Sequence, residues 1–247
     1  MTDEQPLKGK VAVITGAGRG IGQAIAIGYA RAGTAVCCTG RTESQLADTA
    51  ERIEAAGGRA LAVSCDVTDV ESVKRVFARA EEAFGGVDIV VASAGSAIEN
   101  KSVEESMPSL WRETIDTNLL GSFHTAHAAV PHLKRRGGGH IIMLGSGMGH
   151  RSAATRSAYA ASKAGLWMLT RVLAQELAAA NICVNELVPG PVLTDFIRGR
   201  EDQLCAIVAG GEWMKEPEEV LSLALFIVTL PLKGPTGQTF SLARREL

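Results

Sequence analysis

A tyrosine and a lysine stand four residues apart in Tyr159-Ala-Ala-Ser-Lys163, and Ser146 precedes the tyrosine by thirteen residues. Residues at this spacing lie on one face of a helix. A lysine ammonium placed there would favour the phenolate and lower a tyrosine pKa that is ordinarily about 10. A phenol tuned in this way can give up or accept a proton, which is the chemistry that a carbon–oxygen bond requires.

A glycine-rich loop, Thr15-Gly16-Ala-Gly18-Arg19-Gly20-Ile21-Gly22, follows an apolar run near the N-terminus. Glycines allow a tight turn and a close backbone approach, and the helix N-terminus beyond them favours a pyrophosphate. The glycine spacing alone would also suit any tight strand-to-helix turn. A P-loop is excluded, because no Gly-Lys-Ser/Thr follows the glycines. Together with the tyrosine, the loop indicates dinucleotide binding and hydride transfer.

Short apolar runs that would position these residues alternate with helical patterns along the whole chain. Most runs lack polar alternation, which is typical of strands buried on both faces of a parallel sheet. We therefore predict an α/β, single-domain Rossmann-type doubly wound sheet of about seven parallel strands with helices on both faces. The predicted strands are 11–15, 35–39, 60–65, 87–92, 140–144, 182–188 and 239–242, and the predicted helices are 21–32, 43–56, 70–84, 110–136, 157–180 and 218–230.

Composition excludes several classes of protein. The 247 residues carry a formal net charge of -2 and no basic stretch that would suit nucleic acid. The polar N-terminus is unlike a signal peptide, and the longest apolar stretch is too short for a membrane span. The five cysteines show no CxxC spacing, so we expect reduced core residues and a cytoplasmic protein. His124 and His127 lack a third ligand at fitting spacing, and we predict no metal site.

The Gly-x-x-x-Gly-x-Gly spacing combined with Tyr-x-x-x-Lys resembles the short-chain dehydrogenase/reductase family, over almost the whole chain, and within it the 3-oxoacyl-carrier-protein reductase branch. The resemblance implies four catalytic residues. Ser146 and Tyr159 would hold a carbonyl oxygen, with Tyr159 as general acid or base. Lys163 would lower the tyrosine pKa and hold the nicotinamide ribose, and Asn118 would anchor a water that returns the proton.

The same resemblance implies a set of cofactor contacts and shows two departures. Ser93-Ala94-Gly95 stands where the family usually has Asn-Ala-Gly, and Gly145-Ser146 stands where it usually has Ser-Ser. The first departure puts in doubt the bonds that the asparagine would make to neighbouring strands, but neither removes a catalytic group. The expected cofactor-binding residues are Gly16, Gly18, Arg19, Gly20, Ile21, Gly22, Arg41, Asp66, Val67, Ser93, Ala94, Gly95, Tyr159, Lys163, Pro189, Gly190, Val192 and Thr194.

The tip of the second strand favours NADP(H) as the cofactor. Enzymes of this fold that choose NAD usually place a carboxylate there, whereas this chain has Gly40. Arg41 follows at once, and Arg19 extends from the glycine loop toward the same ribose. Two solvent-facing arginines would be the alternative, and nearby Glu43 leaves NAD(H) possible.

These patterns predict a reversible, nicotinamide-dependent enzyme that interconverts a small ketone or aldehyde and an alcohol. The alternative is a catalytically idle dinucleotide-binding domain that acts through partner proteins; an epimerase or dehydratase relative is disfavoured by the short chain. We expect one domain over residues 1–247, with a substrate lid around 194–216 that contains Phe196, Trp213 and Met214. The apolar helices 110–136 and 157–180 and the family resemblance predict a homotetramer.

Overall fold

A parallel sheet of seven strands forms the centre of the computed structural model, which describes residues 5–194, 211–244 and 247. Its first strand is buried along its whole length, as the unbroken apolar sequence predicts. The strands are β1 (Val11–Thr15), β2 (Ala35–Gly40), β3 (Arg59–Ser64), β4 (Ile89–Ala92), β5 (Gly139–Leu144), β6 (Ile182–Val188) and β7 (Thr239–Ser241), and their order across the sheet is β3-β2-β1-β4-β5-β6-β7.

Seven α-helices in the described part of the chain cover the two faces of the sheet. Helices α1, α2 and α7 bury one apolar core against it, and helices α3, α5 and α6 bury the other. The helices are α1 (Gly20–Arg31), α2 (Glu43–Ala55), α3 (Val70–Phe84), α4 (Pro108–Ile115), α5 (Gly121–Arg135), α6 (Ser157–Leu177) and α7 (Leu221–Thr229).

The strand order reverses direction at β1, which pairs with β2 on one side and with β4 on the other. Crevices at such a switch point, outside the carboxyl ends of the strands, are where doubly wound sheets bind ligands. The carboxyl ends of β1, β4, β5 and β6 lead directly into the glycine loop, Ser93, Gly145 and Pro189. The fold therefore brings the sequence motifs to one edge, and the predicted fold class is confirmed.

Many element ends shift by one to three residues from the sequence-based ones, and three differences are larger or bear on the site. The expected helix 110–136 is divided into α4 and α5 by a π-helical turn, Asp116–Leu120, which contains Asn118. Strand β4 begins at Ile89 rather than at Val87, and the Asp88 carboxylate just before it accepts a hydrogen bond from the Val11 amide at 3.0 Å. The first turn of the expected helix 218–230 is 3₁₀-helical, Pro217–Val220, and carries a capping box between Glu216 and Glu219.

Candidate active site

A cleft with a volume of about 520 Å³ opens at the carboxyl ends of the strands. Nineteen of the twenty predicted catalytic and cofactor-binding positions line it, from the glycine loop to Thr194, and Asn118 lies behind its wall. The cleft is also lined by residues that were not assigned from the sequence, among them Gln45, Met148, Arg151, Arg156 and Glu212.

The glycine loop has a geometry that other residues could not adopt. Gly16 and Gly20 have positive φ angles of 70° and 57°. A Cβ atom on Gly22 would overlap the carbonyl oxygen of Gly16, and one on Gly16 would lie 3.0 Å from the Cα of Ala94. The bare backbone thus forms a narrow floor that a pyrophosphate can approach closely, beside the N-terminus of α1.

Thr15 ties the end of β1 to the loop that follows β4. Its hydroxyl accepts hydrogen bonds from the backbone amides of Ser93, at 3.0 Å, and Ala94, at 3.1 Å. Because Ser93 replaces the family's usual asparagine, the bonds that this asparagine would make to neighbouring strands were in doubt. In this chain the Thr15 hydroxyl connects β1 to the loop after β4. The sequence contained a signal for this role, because Thr15 is the one polar residue at the end of an otherwise apolar strand.

The catalytic end of the cleft is built by α6 and the turn after β5. Tyr159 and Lys163 lie one helical turn apart in α6, and Ser146 begins a 3₁₀ turn, Gly147–Gly149, by accepting a hydrogen bond from the Met148 amide. The Lys163 Nζ donates to the Leu144 carbonyl oxygen at 2.7 Å and lies 5.8 Å from the centroid of the Tyr159 ring. The three predicted side chains therefore converge on one wall of the cleft.

The electrostatics of this wall come from burial and a few charges. Burial raises the pKa of Tyr159 above its ordinary value, while a hydrogen bond with Ser146 and the positive charge of Arg156 lower it. Burial lowers the pKa of Lys163 to about 8, against the opposing effect of Glu186. Neither Arg156 nor Glu186 was foreseen from the sequence, and the lowering of the tyrosine pKa by Lys163 stays a prediction.

Asn118 is fully buried in the π-helical turn and holds neighbouring elements together. Its amide nitrogen donates to the Ser96 carbonyl oxygen, at 2.8 Å, and to the Ser162 hydroxyl, at 3.0 Å. Its amide oxygen accepts from the Ser96 amide at 2.7 Å. The side chain thus fastens the loop after β4 to α6, and the relay water expected at Asn118 stays a prediction.

The adenosine end of the cleft contains Asp66, Arg41 and Gly40. The carboxylate of Asp66 accepts hydrogen bonds from the backbone amide and the hydroxyl of Thr68, at 2.9 and 2.8 Å. The backbone bond first, and the Arg41 charge to a smaller extent, hold the pKa of Asp66 below its usual range. Asp66 therefore stays an anionic acceptor, while the tip of β2 itself carries no carboxylate.

Two short segments at the edge of the cleft pair with each other. Val192 forms a bridge with Lys215, and the Leu193 amide donates to the Lys215 carbonyl oxygen at 2.7 Å. Glu212 is buried and lines the cleft. Residues 195–210 of the expected lid, Phe196 included, lie outside the described residues, and its role stays a prediction.

The residues present fit a dinucleotide. The glycine floor leaves room that a Cβ would fill, a carboxylate acceptor stands at one end, and a tyrosine, a serine and a lysine stand at the other.

Within residues 5–194, 211–244 and 247, no group of three or more His, Cys, Asp or Glu side chains is arranged to hold a metal ion. No helix in the same ranges is both long and apolar enough to cross a membrane.

Comparison with known proteins identifies the class. The family model described as short chain dehydrogenase matches residues 10–204. The chain therefore belongs to the short-chain dehydrogenase/reductase family, and it is an NAD(P)-dependent oxidoreductase that acts on alcohol or carbonyl groups.

Two curated relatives and two solved structures illustrate the match. An uncharacterized oxidoreductase of Staphylococcus epidermidis is 35% identical over 79% of this chain and 83% of its own. The 3-oxoacyl-[acyl-carrier-protein] reductase of Vibrio cholerae is 33% identical over 94% and 95%. A short-chain type dehydrogenase/reductase from Mycobacterium marinum superposes with a TM-score of 0.90 at 33% identity, covering 97% and 96% of the two chains. A candidate NAD(P)-dependent gluconate 5-dehydrogenase from Beutenbergia cavernae, with NADP bound at low occupancy, superposes at 0.87 with 34% identity, covering 96% of each chain.

Proposed function

We propose that this chain catalyses the NADP(H)-dependent interconversion of a ketone or aldehyde and the corresponding alcohol, with Tyr159 as general acid and base. The observation that carries the proposal is the convergence of Ser146, Tyr159 and Lys163 on the cleft wall opposite the glycine floor. A chain that only bound a dinucleotide would not require all three side chains at this wall.

Each side chain has a distinct task in the proposed reaction. A bound nicotinamide would supply or accept the hydride. Ser146 and Tyr159 bind the carbonyl oxygen and orient it in the cleft. Tyr159 donates its proton to that oxygen during reduction and takes a proton from the alcohol during oxidation. Burial raises the pKa of Tyr159, so its phenol is protonated and ready to donate at neutral pH.

Lys163 stabilises the charge that develops on Tyr159 and binds the ribose hydroxyls of the cofactor. Its ammonium lies close enough to the phenol ring for an electrostatic interaction, at 5.8 Å from the ring centroid. Because burial lowers its pKa to about 8, the ammonium is present at neutral pH and is lost as the pH rises above that value. Cofactor affinity should therefore weaken in alkaline solution.

The preference for NADP(H) rests on the adenosine end of the cleft. Gly40 and Arg41 line it beside Arg19, and no carboxylate stands at the tip of β2 to repel a 2′-phosphate. A charge-assisted hydrogen bond from an arginine contributes roughly 1.5–3 kcal/mol, which corresponds to about 10–100-fold in affinity.

We further propose a cytoplasmic homotetramer. Several large apolar side chains are exposed, such as Met168 (49% exposed) on α6 and Phe226 (51% exposed) on α7. We propose that these side chains form two interfaces: the α5–α6 patch, defined as Leu120, Phe123, Met168 and Val172, and the α7 patch, defined as Phe226 and Leu232. Two self-complementary interfaces on one subunit generate a closed tetramer.

The buried free thiols of Cys37, Cys38, Cys65 and Cys183 suit a reducing compartment.

A carbonyl screen tests the proposed function directly. The oxidation of NADPH and NADH is followed with a panel of aldehydes, neutral ketones and oxo acids. The acids are included because Arg151 and Arg156 line the cleft at the tyrosine end. We expect turnover of at least one carbonyl class, with NADPH preferred. Tight cofactor binding without turnover of any panel member would favour the idle dinucleotide-binding domain instead.

A further inference from the structure

Glu186 is a buried acid in the core behind the catalytic wall. It lies in β6, where Ile182 and Val184 precede it at alternate positions and pack into the apolar core beneath α6. The strand period places residue 186 on the same face. An apolar side chain would suit this position, yet the chain carries a glutamate with 0% of its surface exposed.

The carboxylate of Glu186 is held by two neighbours and leaves one oxygen free. Its Oε2 is 2.9 Å from the Nε2 of His150 and accepts a hydrogen bond of 2.7 Å from the Thr239 hydroxyl. Its Oε1 has no hydrogen-bond partner in the part of the chain that the structure describes. Burying a carboxyl group costs free energy, and here one of its oxygens also lacks a hydrogen bond. Such a residue is expected to serve a purpose other than packing.

Glu186 and Gly145 share one space. A Cβ atom on Gly145 would overlap the Oε1 of Glu186, so the carboxylate fills the volume that any side chain at position 145 would need. The glycine that departs from the family pattern is therefore explained by the acid opposite it. Gly145 stands between Leu144, whose carbonyl oxygen accepts the Lys163 hydrogen bond, and Ser146.

The partner of Glu186 fixes the turn that presents Ser146. His150 follows this turn directly, and its ring lies 5.2 Å from the ring of Trp167 on α6. A Cβ on Gly149 would lie 2.8 Å from the carbonyl of Lys163, so the turn packs directly on the lysine backbone. The contact between Glu186 and His150 thus helps to hold this turn against α6, the helix that carries Tyr159 and Lys163.

Two titratable side chains among the described residues bear on the Glu186 carboxylate. The His150 ring, from the turn after β5, lies within hydrogen-bond distance of it, and the Lys163 ammonium, from α6, interacts with it electrostatically. Strand β7 contributes only the neutral hydroxyl of Thr239, and β5 places Met143 beside Glu186 in register. The negative charge of Glu186 raises the pKa of Lys163 and so opposes the burial that lowers it.

We propose that Glu186 is a positioning residue for catalysis: its buried carboxylate, packed against Gly145 next to the Leu144 carbonyl that binds Lys163, keeps the ammonium charged, and its contact with His150 holds the Ser146 turn in place. The inference rests on the proposed roles of Lys163 and Ser146. It adds a residue that touches neither substrate nor cofactor and acts through Lys163 and His150.

The test is the pH dependence of NADPH affinity in the Glu186→Gln variant, measured by fluorescence titration between about pH 6.5 and 9.5. In the parent protein, affinity should fall as the pH rises through about 8, where Lys163 loses its proton. In the variant the Lys163 pKa is lower, so the fall should occur at a pH lower by at least about 0.5. At the acid end of the range the two proteins should agree within about threefold. Glu186→Asp, which keeps the charge, should restore the parent profile.

Several outcomes would overturn the inference. A Glu186→Gln profile that coincides with the parent, or a loss of affinity that is equal at every pH, would leave Glu186 a packing residue. Glu81→Gln, at an exposed ion pair with Arg135, is the matched control and should leave the profile unchanged. If Glu186→Gln does not fold, the double variant Gly145→Ser with Glu186→Ala refills the space that the carboxylate occupied. Its NADPH affinity should also fall at a lower pH than that of the parent, and a parent-like profile would contradict the inference.

The binding readout keeps this inference separate from the proposed reaction. NADPH titration needs no turnover, so the shift can be present or absent whether or not Tyr159 is the proton donor. If Tyr159→Phe retained activity, the reaction mechanism would fail while the Glu186 profile still decided its own question.

Discussion

Lys163 donates a hydrogen bond of 2.7 Å to the carbonyl oxygen of Leu144, and this contact holds its ammonium 5.8 Å from the ring centroid of Tyr159. The ammonium thus lies between the end of β5 and the phenol, within the cleft wall. A single charge at this place can serve both the ribose of the cofactor and the developing phenolate. Its removal should therefore affect binding and chemistry together.

Lys163→Met should weaken NADPH binding by roughly 10–100-fold, the contribution of a lost charge-assisted hydrogen bond. The variant should also lower kcat. If Lys163 stabilises the phenolate as proposed, the loss of its charge should raise the pKa of Tyr159 and move the pH profile of alcohol oxidation to higher pH. Titration and a pH–rate series check both effects, with Lys74→Met on the exposed face of α3 as control. A lower rate with unchanged affinity and profile would refute the double role.

Gly22→Ala should abolish dinucleotide binding. The new Cβ would overlap the Gly16 carbonyl oxygen, and the loop could only relieve the clash by opening the floor of the cleft. Gly57→Ala is the control for a general loss of stability: its new methyl group would meet no heavy atom within 4 Å, and its cost is backbone strain at a positive φ angle of 80°, so it should leave binding unchanged. Calorimetric binding that survives Gly22→Ala within about threefold would show that the loop does not approach the cofactor closely.

Gly40→Asp combined with Arg41→Ile should turn the cofactor preference toward NADH. The aspartate would accept hydrogen bonds from the ribose hydroxyls, and the loss of Arg41 removes a partner of the 2′-phosphate. The ratio of kcat/KM for NADPH to that for NADH is expected to be about 10–100 in the parent and below one in the variant. Arg79→Ile on α3 serves as the control. A parent enzyme that already prefers NADH would contradict this account of the strand tip.

Light scattering at micromolar concentration should give four times the 25.9 kDa chain mass. Phe226→Glu places a charge in the α7 patch and leaves the α5–α6 patch intact, so it should yield dimers. Val103→Glu, at another exposed apolar side chain outside both patches, should leave the mass unchanged. A parent mass near that of one chain would exclude the tetramer.

The sequence predicted those parts of the fold in which local pattern and tertiary burial agree. Apolar runs marked the strands, because a strand covered by helices on both faces has no reason to alternate. The hydrogen bond from the Val11 amide to the Asp88 carboxylate, just before β4, was not predicted, because it joins residues 77 positions apart. Single-sequence patterns contain no signal for such a partner.

The site was predictable where motifs have fixed spacing and not where it depends on packing. The glycine loop and the Tyr159–Lys163 pair required only a turn and a helix. Arg156 and Glu186 reach the pair from a loop and from a neighbouring strand, so their effects on the two pKa values depend on tertiary placement. Glu186 did leave one trace in the sequence, a charged residue within a largely apolar strand.

Tyr159→Phe tests the central claim most directly. The substitution keeps the ring and removes the only group proposed to transfer a proton to the substrate, so NADPH should still bind with an affinity within about threefold of the parent. Steady-state kcat with the best carbonyl substrate of the panel should fall by about 10²–10⁴-fold, the usual contribution of a general acid. A kcat within about threefold of the parent value would remove Tyr159 from the reaction.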